Sequence, residues 1–169
     1  MLAFEDNDYA PPVDGLERLV RPLQDVGLAA TSGYRWMVAP DGEPWSCSVH
    51  VAMNLSMYAS FRAFNSLGES AVWGGAYEMR SQDFEDLEIE ALWRTTISDD
   101  MTLSDVLAKR GKRTLLVPGL LVETQSEVDH WGQPVAWYGR QLYNVRAYAF
   151  GRCSSAEVIC WRRFAWDGQ

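Results

Sequence analysis

Two carboxylates one residue apart, Asp6 and Asp8, close the apolar run Leu2-Ala3-Phe4. In a strand, alternate side chains point the same way, so both acids can share one divalent cation and the diphosphate it carries. Acidic strand-to-helix loops are common, and such a pair alone identifies nothing. A second acidic group, Ser98-Asp99-Asp100, opens a segment with helical spacing. A carboxylate held there can take a proton from a substrate hydroxyl. The same triplet is what N-capping and the helix macrodipole favour, so capping by itself explains it. A third group, "WYGRQLYNVR", offers Arg140 and Gln141 to phosphate or sugar oxygens, against the ordinary reading of a solvated helix face.

These residues need elements to hold them. "LAFEDND" reads as a strand ending in acids, and "PPVDGLERLVRPLQDVG" as a helix with Leu16, Leu19, Val20 and Leu23 on one face, shortened or kinked at Pro22 and closed by Gly27. "LAATSGYRWMVAP" predicts a strand and "DGEPW" a turn. "HVAMNLSMYASFRAFNSLG" predicts a helix through Val51, Leu55, Tyr58, Phe61 and Phe64, and "SAVWGGAYEMR" a strand interrupted at Gly74-Gly75. "SQDFEDLEIEALWR" predicts a helix capped by Ser81. "SDDMTLSDVLAKRG" predicts another, capped by Ser98, with acids in its first turn, Lys109 and Arg110 in its last and Gly111 at its end. "KRTLLVPGLLVET" predicts a strand pair, or one strand broken at Pro118-Gly119.

A chain of 169 residues, 47% hydrophobic, can bury one sizeable core, and the pattern above makes it α/β. A net charge of -8 argues against nucleic acid as a partner. Cys47, Cys153 and Cys160 lack metal-ligand spacing and predict reduced thiols. Eight Trp fit a binding cleft, a membrane interface or plain packing. No run reaches the roughly 18 to 20 apolar residues of a membrane span. The stretch from Gly139 to Trp166 mixes aromatic residues with five Arg and few acids, as a helix in a headgroup layer would. An ordinary amphipathic helix pair is the alternative.

In order, "LAFEDNDYAPPVDGLERLVRPLQD", "TSGYRW", "VWGGAYEMRSQDFEDL", "ISDDMTLSDVLAKRGKRTLLVPGLLVET" and "WYGRQLYNVR" resemble the second half of a family 2 type glycosyltransferase, with the ceramide glucosyltransferase-like branch as the nearest look. The resemblance covers roughly residues 1 to 150. It implies a partial GT-A fold lacking the N-terminal nucleotide-binding half, with residues 1-150 as the metal and acceptor half of a catalytic domain and 151-169 as an amphipathic, membrane-interfacial segment. Asp6 and Asp8 match the pair that holds Mg or Mn on a nucleotide-sugar diphosphate. Gly74 and Gly75 match the loop where backbone approaches donor or acceptor closely. Asp100 aligns best with the family's catalytic carboxylate, with Asp99 as the alternative. Arg140 matches the Arg of the last motif. The motif's Trp position is Gln141, and Trp137 stands where Gln or Arg is expected, a departure from the pattern.

The resemblance therefore implies an inverting transferase moving a sugar from a nucleotide-sugar donor to a lipid or glycan hydroxyl, at the cytoplasmic face of a membrane, or in the cytoplasm if only this piece is made. It further implies a missing N-terminal half, upstream or on a second chain. The first strand would then be buried on both faces in a parallel sheet, with one apolar edge left open. A noncatalytic remnant of the same fold, or a metal-dependent phosphohydrolase using the same acids, are the rival expectations.

Overall fold

The computed structural model describes residues 1–6 and 10–148. Asp8, and the segment 151-169 expected at a membrane interface, lie outside the described residues. The chain forms β1 (Leu2–Glu5), α1 (Gly15–Val20) running into a 3-10 turn at Arg21–Gln24, β2 (Leu28–Val38) and α2 (Trp45–Ser66). There follow β3 (Ala76–Met79), α3 (Ser81–Asp86), α4 (Ile89–Trp93), α5 (Asp99–Lys109), β4 (Arg113–Gln125) and α6 (Gly132–Tyr148). The fold class is mixed α/β.

The four strands make one sheet in the order β1-β3-β2-β4. β3 runs antiparallel to both neighbours, while β2 and β4 are parallel. The first strand departs from the expectation of two buried faces in a parallel array. Among the described residues it pairs with β3 alone, antiparallel, with Leu2 and Phe4 half-buried and Ala3 and Glu5 exposed. The open edge was expected; the alternation is what a strand with one solvated face shows.

On the face that carries Phe4 and Tyr77, the core gathers Ala30, Val72, Tyr77 and Met79 with Leu87, Ile89, Leu103 and Leu107. This packs α3, α4 and α5 against the sheet. On the opposite face Leu19 of α1 meets Val117 and Leu120. There β4 spends the four residues Val117 to Leu120 where β2 spends only Gly33, so the Pro118-Gly119 break is a loop-out of several residues inside one strand. Gly119 fits because Arg18 fills the space beside it, with its Nη1 donating to Gly119 O at 3.1 Å.

Three expected boundaries moved. The long helix α2 starts at Trp45, directly after Pro44, inside the expected turn. Its buried stripe is Cys47, His50, Asn54 and Tyr58, while Leu55 is exposed. Polar residues can face inward there because they are partnered: His50 Nδ1 and Ser126 Oγ lie 3.0 Å apart, and the Met37 N–H points at Asn54 Oδ1. The helix expected from Ser81 is split by Glu88 in the left-handed conformation (φ 52°), and Arg80, not Ser81, occupies its N-cap. Arg80 instead reaches the carbonyls of Leu23, Leu28 and Asp25, tying β3 to the turn before β2.

Candidate functional site

The end of β1, the Gly74–Gly75 loop before β3 and the start of α5 meet at one end of the sheet. The Asp6 N–H donates to Gly75 O at 3.0 Å, extending the β1–β3 ladder by one residue. The loop itself is held by three successive amides. Val72 N–H donates to Ser104 Oγ at 2.9 Å, Trp73 N–H to Ser32 Oγ at 2.9 Å, and Gly74 N–H to Asp100 Oδ2 at 3.1 Å. These side chains take the place of a ladder, which is why β3 begins only at Ala76.

The two glycines answer to space, not to backbone angle, since neither has a positive φ. A Cβ on Gly75 would lie 2.1 Å from Cζ2 of Trp73, whose indole folds back over it. A Cβ on Gly74 would lie 3.1 Å from Asp100 Oδ2. The close approach expected here is thus made first to the protein's own Trp73 and Asp100. Trp73 in turn stands 5.5 Å from the Tyr34 ring, with the Arg35 guanidinium 5.7 Å from its centroid. Gly75→Ala is expected to cost on the order of 2 kcal/mol by displacing that indole. Chemical denaturation would measure it, and an unchanged midpoint would mean that the ring yields freely.

Asp100 is bound on both oxygens. Oδ1 accepts from Ser98 Oγ at 2.6 Å and from its neighbour's Met101 N–H at 2.7 Å, while Oδ2 holds Gly74. Ser98 therefore sits at the N-cap position but spends its hydroxyl on Asp100 rather than on a helix amide, correcting the expected cap. Asp99 is differently placed. Its carboxyl receives only backbone N–H groups of the helix start, and the residue keeps an exposed side. It is held above its ordinary range first by partial loss of hydration, then by the charges of Asp100 and Asp6, with the backbone amides offsetting part of the rise. Beneath it Tyr77 is fully buried, and its hydroxyl has no hydrogen-bond partner among the described residues. Burial, and then Asp99 and Asp100, push that phenol well above its usual range.

Asp6, Gly74, Gly75, Asp99 and Asp100 are thus brought together. The last motif is not. Tyr148, at the end of α6, hydrogen-bonds Thr96 Oγ1 at 2.8 Å and accepts from the Ile97 N–H, beside the start of α5. Arg140 lies eight residues earlier, about 12 Å along the axis, and is exposed. Trp137 packs edge-to-face against His50 at 4.8 Å, and Gln141 is half-buried in the same helix. Ser32, Ser104, Trp73 and Tyr77 were not anticipated. Two surface grooves, of 400 Å³ beside Leu16 and Arg21 and of 240 Å³ beside Trp36 and Leu55, share no residue with the acidic group.

Among the described residues no three His, Cys, Asp or Glu side chains stand close enough to cage a metal. Exposed Asp6, with Asp99 near enough to feel its charge, suits instead a hard cation that keeps most of its waters and phosphate oxygens. No protein-family model matches the chain, and no curated protein matches it in sequence.

Proposed function

We propose that this acidic end of the sheet is the sugar-transfer site of an inverting glycosyltransferase of the GT-A type, acting from a nucleotide-diphosphate sugar onto a lipid or polysaccharide hydroxyl. The observation that carries the reading is the convergence of Asp6, Gly74, Gly75, Asp99 and Asp100, drawn from three separate stretches of sequence, at one end of one sheet.

The two neighbouring carboxylates divide the work. Asp100 pins the Gly74 amide and so fixes the loop. Asp99, exposed on one side and with its basicity raised, takes the proton of the acceptor hydroxyl as that oxygen attacks the anomeric carbon. The bond from that carbon to the diphosphate oxygen breaks, the electron pair leaves with the nucleotide, and the configuration inverts. Mg or Mn would be held by Asp6, with Asp8 beside it in sequence, and would supply neutralisation of the departing diphosphate.

Thermal melting with MnCl2 and a panel of nucleotide-sugars tests the reading, because a ligand bound to the native state alone stabilises it, by about 2.7 kcal/mol at a hundred times its Kd, and so raises the midpoint. Metal and nucleotide-sugar together should raise it for the wild type and not for Asp6→Ala, Asp8→Ala. Release of phosphate from simple esters would favour a phosphohydrolase. No response to any donor would leave a noncatalytic module, and either result rejects the transferase.

A further inference from the structure

We propose that the far end of β2, with α2 beside it, is a docking groove for an extended peptide of a protein partner, which adds to β2 as a strand. β2 is 11 residues long, and β4 accompanies it to Val38. On its other side β3 pairs only with Ala30 to Ser32. The amides ahead of β3 are spent on side chains, so the ladder stops there, and among the described residues no strand lies beside the rest of that edge. Alternation fixes which groups face the bare side. Val38 faces β4, its carbonyl accepting the Ser126 N–H at 2.9 Å. The N–H and C=O of the preceding residue, Met37, therefore point the opposite way. There the Met37 N–H donates not to a backbone carbonyl but to Asn54 Oδ1 of α2, at a long 3.4 Å. Asn54 stands where the carbonyl of an added strand would stand, and guards the edge until one arrives.

Around this point lies the groove of 240 Å³, walled by Trp36 and Val38 of the strand and by Val51 and Leu55 of the helix. Leu55, which α2 does not spend on the core, is 46% exposed. A bare strand edge beside apolar walls offers main-chain hydrogen bonds and seats for alternate side chains, the two things that strand addition uses. Charge narrows the occupant. Residues 36–61 contain no Lys or Arg, and the groove ends where Ala39 leads to exposed Asp41 and Glu43. A peptide with apolar residues at alternate positions and a Lys or Arg at its end matches both the walls and the rim. None of these residues belongs to the acidic group at the end of β1, so the inference does not rest on the sugar-transfer reading.

Nuclear magnetic resonance titration of the full chain tests it, with a pool of short capped peptides carrying Val, Leu or Ile at alternate positions, Thr between them and Lys or Glu at the ends. Peptides with Lys ends should shift the amide signals of Met37, Val38 and Leu55 and protect the Met37 amide from exchange. Those with Glu ends should bind more weakly, the gap closing as salt rises. Leu55→Lys should weaken binding at least about tenfold, the scale of one leucine left unburied. It is a surface change, and an unchanged melting temperature would show that the fold is intact. Asn54→Ala removes the guard but leaves the backbone edge, so the folded variant should bind no worse than the wild type. N-methylation of the peptide at one alternate set of residues should abolish binding and at the other set leave it, since only one set turns its amides to β2. No binding by any member of the pool, equal binding of Lys-ended and Glu-ended peptides, tolerance of N-methylation at both sets, or loss of binding by folded Asn54→Ala would overturn the proposal. So would a dimer in light scattering that Leu55→Lys disperses, because the edge would then join two copies of the chain.

Discussion

Asp99→Asn is expected to lower sugar transfer by at least about a hundredfold, the usual scale for a general base, while the melting temperature stays close to that of the wild type. The asparagine keeps the shape and the exposed setting of the side chain but cannot accept a proton at neutral pH. Asp100→Asn should behave in the opposite sense. Both oxygens of Asp100 accept hydrogen bonds, and an amide NH2 in place of Oδ2 would face the Gly74 N–H, donor against donor. Leaving that amide unsatisfied costs about 1–3 kcal/mol, so this variant loses stability first and activity through it. Turnover and denaturant unfolding measured on both variants separate the roles. If Asp100→Asn unfolds like the wild type yet abolishes transfer, and Asp99→Asn is mild, the base is Asp100 and the division of labour is reversed.

Stability should fall by up to about 3 kcal/mol between pH 4.5 and 7 on account of one residue, Glu78. This carboxyl lies on β3 between Ala3 and Thr31 and is 1% exposed, and its Oε2 has no hydrogen-bond partner among the described residues. Burial, and then the neighbouring Glu5, raise its pKa from 4.5 to about 7, and the N-terminal amine offsets a little of this. A carboxyl that holds its proton more tightly when folded favours the native state fully below its unfolded value. That advantage is lost as the pH climbs from about 4.5 through 7, where the folded protein must ionise a group without water around it. Glu78→Gln is neutral throughout and should flatten this slope, leaving the variant more stable than the wild type at pH 8 and similar at pH 4. Parallel pH profiles for the two proteins would show that Glu78 is already hydrated.

What could be read from the residues, and what could not, divides along sequence distance. β1, β2, the interruption of the first helix at Pro22 and the span of α5 follow local rules, down to Gly111 closing α5 with φ 63°. The glycine pair and the three acids stand out because their types are unusual where they occur. The strand after Gly74-Gly75 was legible as β3, but the loss of the expected strand ahead of it was not, because the amides there are satisfied by Ser32, Ser104 and Asp100, which lie 41, 32 and 26 residues away from them. A lone serine in a strand or helix announces no such partner. The early start of α2 was hidden for a related reason: Ser46, Cys47 and His50 make a polar stripe that looks solvated until the carbonyls of Ser126 and Val128 and the Ser126 hydroxyl close over it. Asp100 looked like an acid of the first helical turn, and only the position of Gly74 shows that it reaches across to another segment.

The three tethered amides also bear on motion. Two of their acceptors, Ser104 and Asp100, belong to α5, and the third, Ser32, belongs to the sheet. In deuterated solvent, exchange of the Val72 and Gly74 protons requires the loop to part from the α5 side chains that hold it, so protection there reports the contact between the two. The loop beside Asp99 is therefore shaped by α5 and the sheet together. Any force that pries α5 from the sheet takes away two of the three anchors that give the loop its shape.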